Sequence, residues 1–132
     1  MANQSILPSW KLILLVAFGG MGGASLRFLL GAISGEAYVM TMGVNIVGSF
    51  GLGFVLFSIA AKRITDLRIQ ALLATGFFGS FTTYSTLIAD IFYLPPLYAG
   101  GYIAVTYFGG ISAILFSRRF AYLIFDSTGE KQ

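Results

Sequence analysis

The stretch Thr75-Gly76-Phe77-Phe78-Gly79-Ser80-Phe81-Thr82-Thr83-Tyr84-Ser85-Thr86-Leu87 decides how this chain is read. It lies within a run free of Asp, Glu, Lys and Arg between Arg68 and Asp90, and a crossing of the hydrocarbon core takes about 20 mainly apolar residues. Gly76 and Gly79, followed by the hydroxyls of Ser80, Thr82, Thr83, Ser85 and Thr86, weaken the case for a straight helix here. An interrupted helix turns amides and carbonyls away from their own chain, and such groups persist in lipid only where protein, water or an ion satisfies them. That is a route to an internal ion site without acidic ligands. A continuous helix whose Ser and Thr hydroxyls bond preceding carbonyls is the competing reading of the same residues.

The rest of the chain sets the context. Only 10% of its 132 residues are charged and 57% are hydrophobic, far from the roughly 25% charged composition of soluble domains. The stretches between Lys11 and Arg27, Glu36 and Lys62, Arg68 and Asp90, and Asp90 and Arg118 carry no formal charge. These predict four transmembrane helices, over 12–32, 41–61, 69–94 and 101–118, in one membrane domain spanning 1–132. The apolar runs do not alternate with period two, which argues against a spanning barrel. Pro95-Pro96 marks a stop or turn, since neither proline supplies a backbone donor. Gly31, Ser34 and Gly35 loosen the first connection, and the tail from Ser127 is read as loose. The first hydrophobic segment is read as retained, because no small-residue cleavage motif precedes Arg27.

With four spans, both termini and the 62–68 connection share one side. Those regions contain Lys11, Lys62, Arg63, Arg68, Arg118, Arg119 and Lys131, whereas the opposite connections contain no lysine or arginine. The asymmetry predicts a multi-pass protein of the inner or plasma membrane with cytoplasmic termini. The net charge of +3 is thus a topology signal; no basic face interleaved with aromatics points to nucleic acid. The chain has no Cys or His, which removes disulfides, thiolate or imidazole metal sites and the Cys/His and Ser/His/Asp catalytic arrangements. No acidic pair with a partner pattern remains for general acid–base chemistry, so the chain is not read as an enzyme.

Small residues at helical spacing predict close packing: Gly19/Gly23, Gly20/Ala24, Ser49/Gly53, Gly76/Ser80, Thr106/Gly110 and Gly109/Ala113. Asn45 is either an interhelical clamp or a pathway donor, and Ser49 follows one turn later on the same face. Arg27 and Asp90 stand near helix ends, where each either snorkels to the interface or acts inside; Arg27 then attracts anions to a vestibule. Their predicted side also permits a mutual pair.

Three motifs together, Gly19-Gly20-Met21-Gly22-Gly23-Ala24-Ser25-Leu26-Arg27-Phe28, Asn45-Ile46-Val47-Gly48-Ser49-Phe50 and Gly76 through Thr86, resemble the CrcB/Fluc family of small membrane fluoride channels. The resemblance implies an all-α antiparallel dimer with four transmembrane helices per subunit and a third helix broken near its centre. It implies passive, fluoride-selective conduction that exports the toxic ion down its electrochemical gradient. Asn45 would donate to fluoride, with Ser49, Thr83, Tyr84, Thr86, Leu87 and Thr106 along the pathway. A structural sodium ion would sit on backbone carbonyls of Gly79 and Thr82. The chain departs from the family pattern at Tyr84 and Leu87, which stand where phenylalanines are expected, at Ser80, where glycine is usual, and in a fourth helix with one pathway hydroxyl, Thr106, on the face of Gly110 and Ile114. The charge bias also disfavours insertion in both orientations, so an inverted paralogous subunit stands beside the antiparallel homodimer as partner. A non-conducting or partly conducting subunit of such a heterodimer, or a small multidrug-type transporter, are the alternatives; the latter favours a titrating carboxylate in the transport path, and the first helix has none.

Overall fold

The computed structural model describes residues 8–61 and 63–126, and no strand occurs among them. Lys62, Lys131 and the tail from Ser127 lie outside the described residues. Three long helices dominate: α1 (Ser9–Ile33), α2 (Ala37–Ala60) and α6 (Pro96–Asp126). The spans Ser9–Ile33, Ala37–Ala60 and Pro96–Ile124 are long and apolar enough to cross a membrane. The third hydrophobic segment is instead a succession of short pieces. It runs through α3 (Leu67–Gln70), a π-helical stretch (Ala71–Phe78), α4 (Gly79–Phe81), non-helical residues 82–84, and α5 (Ser85–Ile91).

The boundaries follow from local hydrogen bonding. At the start of α1 the Pro8 carbonyl accepts the Lys11 N–H at 2.9 Å, so the helix begins three residues before the expected 12. Ser34 ends it with an extended backbone, donating both its N–H and its hydroxyl to the Leu30 carbonyl at 3.1 and 2.6 Å. Glu36 accepts the Met40 N–H at 3.2 Å and starts α2 ahead of the expected 41. The Asp66 carboxylate accepts the Arg68 N–H at 2.8 Å and caps α3. The expectation for the last helix requires correction, because α6 starts at Pro96 and not near 101. A proline suits the first helical position, where its missing N–H has no intrahelical role and its fixed φ already fits. The Pro95 carbonyl accepts the Ala99 N–H at 2.9 Å, so the diproline initiates a helix as well as ending the preceding segment.

Packing pairs α2 with α6 and α1 with the π-helical stretch. Glycine makes the second contact possible, since the backbones touch. A Cβ on Gly19 would strike the Leu72 carbonyl and one on Gly23 the Phe77 carbonyl, while one on Gly76 would lie 2.6 Å from the Val16 carbonyl oxygen. The Gly19/Gly23 pair thus forms a backbone-to-backbone seam, the arrangement small residues permit between membrane helices. On the α2–α6 side the most buried side chains are small hydroxyls. Thr41, Ser58 and Ser117 donate to carbonyls of their own helices, those of Ala37, Phe54 and Ile114, at 3.1, 2.7 and 2.7 Å. Large apolar side chains such as Phe28, Phe92, Leu97 and Phe116 point outward. In water that distribution would be inverted; in lipid it needs no correction.

The seam predicts a sharp difference between neighbouring glycines. Gly23→Ala places a methyl against the Phe77 backbone, which has no rotamer to move, whereas at Gly22 the nearest atom is Phe77 Cδ2 of the side chain at 3.6 Å. We expect Gly23→Ala to destabilise detergent-solubilised protein by about 1–3 kcal/mol and Gly22→Ala to be neutral or slightly stabilising. Denaturation midpoints in an SDS titration check this, and equal midpoints for the two variants would refute the seam.

Candidate functional site

After Phe81 the chain leaves helical geometry: Thr82 adopts φ −73° and ψ 154°. The turn before it is closed twice, because the Thr82 N–H and hydroxyl both donate to the Phe78 carbonyl, at 3.2 and 3.0 Å. Asn45 on α2 then grips Thr83. Its Nδ2 donates to the Thr83 carbonyl at 2.9 Å and its Oδ1 accepts the Thr83 N–H at 2.8 Å. A backbone amide can only donate and a carbonyl can only accept, so this pair of bonds also fixes which way the carboxamide faces. Of the two sequence readings for Asn45, the clamp is thus present. It uses one of the two amide hydrogens.

Thr83 in turn starts α5. Its Oγ1 accepts the Thr86 N–H at 3.2 Å, the pattern of an N-cap side chain, and lies 2.9 Å from Thr86 Oγ1 and 3.4 Å from Ser85 Oγ. These bonds have a consequence for two carbonyls. In an uninterrupted α-helix the Gly79 carbonyl would accept from the Thr83 N–H and the Thr82 carbonyl from the Thr86 N–H. Here the first amide goes to Asn45 Oδ1 and the second to Thr83 Oγ1. Gly79 and Thr82, the two expected cation ligands, are therefore among the residues at the interruption whose carbonyls lose their helical donors. Such oxygens are hard donors suited to an alkali cation. Arg27 Nη1 approaches the Thr82 oxygen at 3.4 Å, a long contact that engages one side of a two-lone-pair acceptor.

A cavity of about 310 Å³ opens between α2, the interruption and α6. Asn45, Ser49, Thr83, Tyr84, Leu87 and Thr106 all line it, as do Gly110 and Ile114 of the expected α6 face. Leu87 forms a buried apolar wall and Tyr84 is largely exposed. The Thr106 hydroxyl donates its only hydrogen to the Tyr102 carbonyl at 2.7 Å, so in this rotamer it offers the cavity lone pairs and no donor. Thr86 does not line this cavity. It sits with Arg27 in a second groove of about 430 Å³, and Thr83 borders both.

Sequence reasoning missed Tyr107, which also lines the first cavity. Its position three residues before Gly110 carried the signal, since i and i+3 share a helix face. It misread the surroundings of Asp90 as well. Asp90 neither snorkels nor meets Arg27; its carboxylate is buried and accepts the Tyr102 hydroxyl at 3.0 Å. Tyr38 packs edge-on against the Tyr102 ring with centroids 6.3 Å apart. No local pattern announces a bond between residues on two different helices. Among the described residues no cluster of His, Cys, Asp and Glu is arranged to hold a metal.

These features define a small, all-helical, multi-pass membrane protein with a polar cavity beside a helix interruption. Residues 14–118 match the family described as CrcB-like protein, Camphor Resistance (CrcB), and the chain belongs to that family. It is similar to "Fluoride-specific ion channel FluC 2" of Methanosarcina acetivorans, 34% identical over 106 residues, covering 80% of this chain and 83% of the relative. It is 37% identical to "Fluoride-specific ion channel FluC" of Rhizobium johnstonii over 111 residues, 77% of this chain and 89% of that one. With "Fluoride-specific ion channel FluC 1" of Carboxydothermus hydrogenoformans it shares 42% identity over 87 residues, 62% of this chain and 67% of the relative.

Two polar contacts, one buried and one partly buried, yield stability predictions. Tyr102→Phe leaves the buried Asp90 carboxylate without its hydroxyl donor and should destabilise the protein by about 1–3 kcal/mol. Asn45→Leu strips both partners from the Thr83 backbone and should cost about 2–4 kcal/mol on the same scale. Unfolding midpoints in detergent test both; an unchanged midpoint for either variant would contradict the bonding described.

Proposed function

We propose that this chain is a subunit of a passive, fluoride-selective channel that lets the ion leave the cytoplasm down its electrochemical gradient. The observation that carries this reading is the 310 Å³ cavity bordered by Asn45, Ser49 and Thr83 at the interruption, in a chain whose family relatives are fluoride channels. Fluoride is small and strongly hydrated, so a pathway must replace part of its water with hydrogen-bond donors while remaining too narrow for larger anions. The second Nδ2 hydrogen of Asn45, the hydroxyl of Ser49 and whichever of the Thr83 and Thr86 hydroxyls does not donate to the other are the donors of this pathway, Thr86 from the second groove. Tyr84 adds an aromatic edge and a hydroxyl; Leu87 contributes only an apolar wall. Thr106 joins once its hydroxyl rotates away from the Tyr102 carbonyl. Arg27, beside Thr83 and Thr86 in the second groove, concentrates anions at the mouth.

The interruption serves as the family's third-helix break, and the composite segment from α3 to α5 is the fourth crossing. The Gly79 and Thr82 carbonyls fit a structural sodium ion, which would offset their dipoles where two subunits meet in antiparallel orientation. The lysine and arginine bias supports cytoplasmic termini. The same bias favours an inverted paralogous subunit over a second copy as the partner, because a copy would have to insert against its own charge signal. The described residues lining the cavity include no carboxylate, and the family relatives are named as channels, so a proton-coupled multidrug mechanism has no support.

Efflux from reconstituted vesicles tests the reading. With no proton gradient, the assembled channel should pass fluoride at least about tenfold faster than chloride, a barrier difference of about 1.4 kcal/mol. Equal rates, or a requirement for a proton gradient, would contradict it. Assembly is tested separately by expressing this chain alone. A stable antiparallel homodimer that conducts fluoride would overturn the inverted-partner reading and leave the channel reading standing.

A further inference from the structure

Away from the interruption, a groove of about 550 Å³ opens where the end of α2 meets α6. Its floor is apolar, formed by Phe57, Ala60 and Ala61, and its rim carries Arg63, Arg118 and Tyr122. The backbone at Arg63 and the guanidinium of Arg118 are each held by a specific contact. The chain folds back over the end of α2, with the Arg63 and Ile64 N–H groups donating to the Ser58 carbonyl at 2.9 and 3.2 Å. The Arg118 guanidinium lies 5.9 Å from the centre of the Phe57 ring, a cation–π distance. Among the described residues no carboxylate lines this groove.

Arg118 stands in the last part of a helix long and apolar enough to cross a membrane, Pro96–Ile124. A guanidinium near the end of such a helix reaches the interface with the headgroups, and a charge there favours an anionic partner. Tyr122 belongs at the same interface. A planar guanidinium matches the oxygens of a phosphodiester, and two of them beside an apolar floor match a phosphate attached to hydrocarbon.

We propose that this groove binds an anionic phospholipid, its phosphate between Arg63 and Arg118 and its acyl chain along Phe57 and Ala60. The site is separate from the 310 Å³ cavity, so the proposal does not depend on which ion the protein conducts.

Native mass spectrometry of the detergent-solubilised full chain, titrated with phosphatidylglycerol, phosphatidylcholine or inorganic phosphate, tests it. Phosphatidylglycerol should be retained in preference to phosphatidylcholine, and inorganic phosphate should neither bind nor displace it. Arg63→Gln and Arg118→Gln should each weaken retention about fivefold and the double variant roughly 30-fold, from about 1 kcal/mol per basic residue. Ala60→Phe, which fills the floor and leaves both charges, should also weaken it and serves as the variant of record if the double substitution fails to fold. Equal retention of the two lipids, retention unchanged in Arg63→Gln, Arg118→Gln and Ala60→Phe, competition by inorganic phosphate, or coverage of the groove by a second copy of the chain would each overturn the proposal.

Discussion

Two hydrogen bonds between the Asn45 carboxamide and the Thr83 backbone, 2.9 and 2.8 Å long, govern the architecture around the cavity. A backbone that leaves helical geometry inside a membrane must find new partners for its amides and carbonyls, because lipid offers none. Asn45 supplies one donor and one acceptor to the same residue. By taking the Thr83 N–H it also releases the Gly79 carbonyl, and the Thr83 hydroxyl releases the Thr82 carbonyl by capping Thr86. One side chain on α2 thereby holds the backbone where helical bonding lapses, and the Thr83 hydroxyl closes the first turn of α5.

The rest of the fold holds that arrangement in place. The π-helical stretch ahead of the interruption is pressed backbone-to-backbone against α1 through Gly19, Gly23 and Gly76. On the other side, Gly48 of α2 brings Thr82 and Phe81 so close that a Cβ would collide with the Thr82 methyl. Small residues therefore act as spacers of zero thickness around the interruption, while the large apolar side chains face outward. The buried Asp90–Tyr102 contact ties the far end of α5 to α6, closing the wall that Leu87 presents to the cavity.

Much of this was legible in the residues because membrane constraints are severe. Four charge-free runs implied membrane crossings, and three of them are continuous helices in the structure. The glycine and hydroxyl content between Gly76 and Thr86 marked the place where helical bonding changes. The positions of Asn45, Ser49, Thr83, Tyr84, Leu87 and Thr106 around one cavity followed from helical spacing and family motif together. The start of α6 at Pro96 was misplaced because proline reads as a stop, although it fits a first helical turn equally well. The π-helical run carries no residue signal in the sequence; in the structure it packs against α1. Asp90 and Tyr102 were invisible as a pair because a bond between two helices leaves no periodic trace in either.

The central claim is that one carboxamide both holds the interruption and supplies a hydrogen to the passing anion. Asn45→Asp keeps half of the clamp and removes the pathway donor: the carboxylate still accepts the Thr83 N–H, but it gives up the bond to the Thr83 carbonyl, has no N–H for the anion and adds negative charge to the pathway. Fluoride efflux from vesicles containing equal amounts of folded, assembled wild-type and Asn45→Asp protein is the direct measurement. The account predicts that the variant assembles and conducts at least about tenfold more slowly, a barrier increase of about 1.4 kcal/mol or more. Fluoride flux equal to wild type in the assembled variant would contradict it.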